Sequence, residues 1–157
     1  MDIIMYEELL SEADYQNLIV KEKDIPGYGG RIYGNRIAIR KDIETETEKA
    51  CVLAEELGHH YTSSGNILDL ADTGNRKQEL RAHIWAYNRL IGLQGLIAAH
   101  QHGCRSRYEA AEFLEVTEEL LQEAVDYYRG KYGLMYQVDN YVIYFEPLGV
   151  FEEIVPD

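Results

Sequence analysis

The chain has 157 residues, 46% of them hydrophobic, and carries 28 acidic against 15 basic side chains for a formal charge of −13. That is enough apolar material for one packed domain and too much for a disordered chain, while so anionic a surface argues against binding nucleic acid or anionic lipid. No apolar run nears the ~18–20 residues that span a bilayer, MDIIMYEELLSEAD lacks the marks of a signal peptide, and Cys51 and Cys104 make no disulfide framework, so the expected compartment is a reducing cytoplasm.

In chain order, Ile4, Leu9, Ala13 and Leu18 recur at helical spacing and predict an amphipathic helix over 4–18, ended by the breaker cluster IPGYGG at 25–30. RIYGNRIAIR at 31–40 predicts a short β-hairpin turning at Gly34-Asn35. The helix signal is strongest in DIETETEKACVLAEELGHHYT, with Thr45 or Thr47 as its cap and Glu44, Glu46 and Glu48 near the positive end of its dipole. A polar loop spans 62–75. A second long helix runs from about Arg76 towards His102, with a break at Gly92 or Gly95. Ser106 and Thr117 cap two further helices, and GLMYQVDNYVIYFEP predicts a hairpin about Asp139-Asn140. No linker or charge block divides the chain. The expected organisation is one domain over 1–157: a core over about 1–100, a helical pair over about 104–132, and a C-terminal hairpin and tail over 133–157.

On the helix over 48–62, Ala50, Leu53, Ala54, Leu57 and Tyr61 make one apolar stripe, the ordinary core face. Cys51, Val52, Glu55 and His59 make a second face, poor in the lysine and glutamate of a solvated surface. Burial on two faces suits a helix at the floor of a cleft. Glu55 and His59 are i and i+4, so their side chains converge and can share a metal ion, and Glu56 lies to one side, within reach of a polarised water. The spacing is similar to H-E-x-x-H, with Glu55 where the first histidine belongs. Adjacent glutamates on a helix are ordinarily solvated charge, so these residues alone make a weak signal. On the second helix, Glu79, Ala82, Ala86, Leu90, Leu93 and Ile97 share a stripe with His83 at its margin. A carboxylate on an apolar face is expensive to bury unless it is paired, protonated or bound to metal. Glu79 paired with Arg76, His83 or His59 in a structural network is the bland alternative.

ETEKACVLAEELGHHYTSS followed by RKQELRAHIWAYNRLI resembles the ImmA/IrrE family of zinc metallopeptidases, over about residues 30–100. The family pattern is H-E-L-G-H on one helix and E-x-x-A at the start of a later one. The resemblance implies an α+β, zincin-like single domain, mainly helical with a small antiparallel sheet or hairpins. It implies Glu56 as the catalytic base and Glu55, His59 and Glu79 as metal ligands. It also implies a protein substrate, a repressor or regulator of a phage or mobile element, in the cytoplasm of a bacterial host. Glu55 is the departure: a carboxylate in its place makes a harder, more negative site that holds zinc less tightly or favours manganese. Candidate substitutes for the missing imidazole are His83, one turn from Glu79, then His60 and Cys51. The expected mechanism is a polarised water that gives its proton to Glu56 and attacks a peptide carbonyl, with the 31–40 hairpin offering an edge strand to the substrate.

Two other readings stand beside this one. A degenerate site would make the chain an antirepressor that grips without cleaving. Residues 106–117 resemble the start of a helix-turn-helix, but Cys104 to Tyr132 holds four basic against seven acidic residues, which repels phosphate.

Overall fold

A computed structural model describes residues 4–63 and 73–154. The elements run α1 (Met5–Tyr15), β1 (Ile19–Lys23), β2 (Gly30–Tyr33), β3 (Arg36–Arg40), α2 (Glu46–Thr62), α3 (Thr73–Leu90), α4 (Gly92–His102), α5 (Arg107–Leu114), α6 (Glu118–Tyr132), β4 (Met135–Val138), β5 (Tyr141–Phe145) and β6 (Leu148–Glu152). The architecture is α+β and mainly helical. The chain divides into two compact units, Met1–Ala86 and Tyr87–Asp157, with the boundary inside α3.

In the first unit, α1 stops earlier than the periodicity predicts. Asn17 takes the left-handed conformation (φ 61°), and the Leu18 N–H donates back to the Ala13 carbonyl at 2.9 Å, the pattern of a Schellman stop. Leu18 is still buried. Residues 19–23, which carry no strand signal in the sequence, then form β1. Its IVKEK offers no clean alternation because Ile19, Lys21 and Lys23 all face outward and are exposed. The hairpin at 31–40 forms as β2 and β3. Strand order is β1-β3-β2, with β1 parallel and β2 antiparallel to the central β3, so the sheet is mixed rather than purely antiparallel. Ile37 and Ile39 of β3 join Tyr6, Leu9 and Ala13 of α1 and Leu53, Ala54 and Leu57 of α2 in the core.

The second unit holds α4, α5, α6 and the meander β4-β5-β6. The expected hairpin turns at Asp139-Asn140, and a third strand, β6, extends it beyond the sequence reading. Ser106 and Thr117 cap α5 and α6 as predicted, accepting from the backbone N–H groups of Glu109 and Leu120 at 3.1 Å each. The break in the long helix falls at Ile91, before Gly92. Leu120, Leu121, Ala124, Val125 and Tyr128 of α6 are buried in the unit's core, together with Ile143 and Phe145 of β5. Residues 64–72 of the expected 62–75 loop lie outside the described residues.

Candidate metal centre

Helix α2 is placed by its own sequence. Thr45 Oγ1 accepts from the Glu48 N–H at 3.1 Å, and Glu46 and Glu48 occupy the first turn, where carboxylates favour the helix dipole. The helix is buried on two faces. Ala50, Leu53, Ala54 and Leu57 form the core stripe, and Cys51, Glu56, Gly58 and His59 are buried around it. Tyr61 leaves that stripe: it is exposed, stacks on Trp85 with ring centroids 4.9 Å apart, and its hydroxyl donates to Glu12 at 3.3 Å. A tyrosine near a helix end keeps its polar tip wet while its ring packs.

Two glycines set the spacing around the helix. A Cβ at Gly58 would lie 2.3 Å from the Ala82 carbonyl oxygen, so this position brings α2 and α3 to backbone contact. A Cβ at Gly30 would lie 2.7 Å from Val52 Cγ1 and 3.1 Å from Glu56 Cγ, so β2 lies directly against the Glu56 turn. The sequence does signal Gly58, since a glycine inside a helix costs ~1 kcal/mol against alanine and calls for a packing reason.

The α2–α3 contact gathers four polar side chains. His59 Nε2 sits 3.0 Å from Glu79 Oε1, His83 Nε2 sits 3.5 Å from Glu79 Oε2, and the same His83 nitrogen sits 3.8 Å from Glu55 Oε2. The chain of contacts is therefore Glu55–His83–Glu79–His59. All three expected ligands are present in it, and His83 joins them as its central imidazole. His60, half-buried, packs edge-on against Tyr61, and Cys51 is buried. Burial is distributed differently from expectation. Glu79 has 54% of its side chain exposed, because α3 buries its face only from Ala82 onward. Glu56, expected to one side of the Glu55–His59 pair, is 9% exposed, while His59, on the expected second buried face, is 6% exposed.

That burial sets the electrostatics. The Glu56 carboxyl is pushed up to about 8, first by loss of solvation and then by the charges of Glu55 and Glu79. His59 is held below the ordinary histidine value by burial and by the His83 charge, against the pull of Glu79. Neutral imidazole is the form that binds metal. The buried His59 Nδ1 has no hydrogen-bond partner among the described residues.

Two donors on one tetrahedral zinc at about 2.0–2.1 Å stand about 3.3 Å apart. Imidazole nitrogen and carboxylate oxygen are the donor types a divalent cation takes, so the chemistry of the four side chains suits one, but His59 and Glu79 bond directly to each other at 3.0 Å and the contacts run as a chain rather than around one point. They are not closed into a cage: among the described residues, no three His, Cys, Asp or Glu side chains already converge as a metal-holding group.

The family model Peptidase_M78, described as the IrrE N-terminal-like domain, matches residues 7–126. The chain belongs to the ImmA/IrrE family. It is thus a zincin-like protein of metallopeptidase type, from a family whose members are generally metal-dependent and act on proteins. The match runs from Glu7 in α1 through α5 into α6 and includes the four-residue cluster of this ImmA/IrrE member. No curated protein and no solved structure matches the chain. No helix among the described residues is long and apolar enough to cross a membrane.

Proposed function

We propose that this chain is a metal-dependent endopeptidase in which Glu56 is the general base and His59 and Glu79 hold the cation together with Glu55 or, in its place, His83. The observation that carries the reading is the Glu55–His83–Glu79–His59 chain gathered from two helices beside a buried acid, Glu56. Zinc is the first candidate and manganese the second, because two carboxylates make the donor set harder than a pair of histidines. A divalent cation held there supplies Lewis acidity toward a carbonyl oxygen and acidifies a nearby water.

The chain's own groups do the rest. Without a cation, burial and the charges of Glu55 and Glu79 keep the Glu56 carboxyl protonated at neutral pH; a cation held beside it would favour the carboxylate, the form that accepts a proton and returns it to the departing amine. Burial keeps competing water from it. Strand β2 lies at the edge of its sheet and against Glu56, so its unpaired backbone groups can align an extended substrate. The substrate we propose, a repressor or regulator of a phage or mobile element in a bacterial cytoplasm, rests on the family resemblance.

A second reading is favoured by the lack of a closed donor group among the described residues: an antirepressor that grips its target without cleaving it. The test is elemental analysis of protein purified without an affinity metal, alongside His59→Ala and Glu79→Ala, with a cleavage assay of wild type and Glu56→Gln. The peptidase reading expects metal in wild type, loss of it in both ligand variants, and loss of cleavage in the metal-loaded Glu56→Gln protein. Equal, near-zero metal in all three favours the antirepressor, and cleavage that survives Glu56→Gln removes Glu56 from its role.

A further inference from the structure

The outward face of the β1-β3-β2 sheet is opposite in sign to the rest of the protein. Register places Ile19, Lys21 and Lys23 of β1, Arg36, Ala38 and Arg40 of β3, and Arg31 and Tyr33 of β2 on that face, opposite the buried Ile37 and Ile39. Five of these eight positions are cationic and none is a carboxylate, in a chain whose net charge is −13. The one acid of β1, Glu22, reaches the other way, to Lys49 at 2.8 Å and the Tyr6 hydroxyl at 3.2 Å. Arg40 is held by Asp42, but Lys21, Lys23 and Arg36 are exposed and make no ion pair among the described residues.

The cations surround an apolar floor. Lys21 and Arg31 both lie opposite Ala38, while the row beside them is Ile19, Arg36 and Tyr33. A concavity of about 230 Å³ opens among these side chains. That is below the roughly 300–1,000 Å³ of sites for free small molecules, and suits an inserted side chain. Tyr33 and Ile19 stand exposed at its rim.

We propose that this face is a docking site for an extended acidic segment of a partner protein, one whose outward face reads acid, apolar, acid. Along β3 the outward order is Arg36, Ala38, Arg40, cation, apolar, cation, at the about 6.6 Å repeat of alternate strand residues. An extended peptide has the same repeat, so a carboxylate over Arg36 brings its apolar neighbour over Ala38, between Lys21 and Arg31. A sugar-phosphate backbone brings no apolar group to that floor, and a long polyanion would extend past three short strands of a chain whose net charge is −13. The proposal does not depend on the metal centre, since none of these residues belongs to it.

The test is fluorescence anisotropy with a short labelled peptide of repeated Glu-Ser-Leu-Ser, against the full chain at low and moderate salt. Wild type is expected to bind it, with affinity falling as salt screens the cations. Replacing Lys21 and Arg36 together by glutamate is expected to weaken binding by about tenfold or more, with unfolding temperature unchanged, and Tyr33→Ala to weaken it at all salt concentrations. The milder Lys21→Gln serves if the reversal disturbs folding. Absence of binding, equal binding by the folded double variant, or equal binding of the lysine analogue Lys-Ser-Leu-Ser overturns the proposal. An oligonucleotide of matching length that binds more tightly and is lost in the same double variant overturns it in favour of nucleic acid.

Discussion

Gly58 on α2 faces Ala82 on α3 so closely that a Cβ at position 58 would lie 2.3 Å from the Ala82 carbonyl oxygen. Neither backbone has a flexible side chain to move aside, so the helices must part to admit a methyl group. The 3.0 Å approach of His59 to Glu79 depends on that contact. Gly58→Ala is therefore expected to lower stability by about 1–3 kcal/mol despite alanine's better helix propensity, and to weaken metal binding as well. Chemical denaturation and a metal titration of the same protein check both. A variant as stable as wild type would show that the two helices do not need this contact.

Much of the candidate centre is legible in the sequence because helical spacing is a local property. Glu55 and His59 share a face by arithmetic, and Glu79 and His83 repeat the same i, i+4 relation on the next helix. What the sequence does not show is how solvent is shared out among the acids. Glu79 lies on an apolar stripe and is nevertheless exposed, because burial of α3 begins one turn later; Glu56 has an acid beside it and is nevertheless buried, because β2 closes over it at Gly30. Both depend on contacts between elements distant in sequence. Strand β1 is hidden for a related reason: its outward residues are mostly lysines, which read as loop or helix until the partner strand is known.

Glu56 gives the metal-free protein a specific pH dependence. Its folded value, about 8, lies above the ordinary 4.5 of an unfolded glutamate. The raised value means that the folded state holds this proton more tightly, so its contribution is fully present below about 4.5 and is lost as pH rises through about 8. Glu56→Gln keeps a neutral group at the position throughout. Thermal unfolding without metal should find the variant increasingly more stable than wild type as pH rises from 5 to 8.5, by an amount on the order of a few kcal/mol at the upper end. A difference that does not vary with pH would mean that Glu56 is ionised in the folded protein at neutrality.

In the second unit, the Tyr128 hydroxyl accepts from the Gly92 N–H at 3.1 Å and donates to Asn88 Oδ1 at 3.0 Å, at the break between α3 and α4. Burial pushes this phenol well above its ordinary value, so it stays protonated and able to donate. Tyr128→Phe keeps the ring and leaves the Gly92 donor and the Asn88 acceptor without this partner. The expected loss is about 1–2 kcal/mol, read as a lower denaturation midpoint with an unchanged slope.

Glu55 and His83 compete for one role, and their replacement tells which holds the cation. His83 Nε2 lies nearer to Glu79 than to Glu55, at 3.5 against 3.8 Å. If His83 supplies the second imidazole, His83→Ala should cut zinc affinity by more than the ~10–100-fold typical of a group that only supports a ligand, while Glu55→Gln should fall within that range. Glu55→His restores the H-E-L-G-H string and removes one negative charge. It should raise zinc affinity relative to manganese, since a third nitrogen donor softens the set. It should also bring the Glu56 carboxyl down from about 8, because one of the two charges holding it up is gone. Competition titrations with both metals give the affinities, and the pH profile of unfolding gives the Glu56 shift. If Glu55→His leaves the zinc-to-manganese ratio unchanged, position 55 does not touch the ion, and the centre is built from His59, Glu79 and His83.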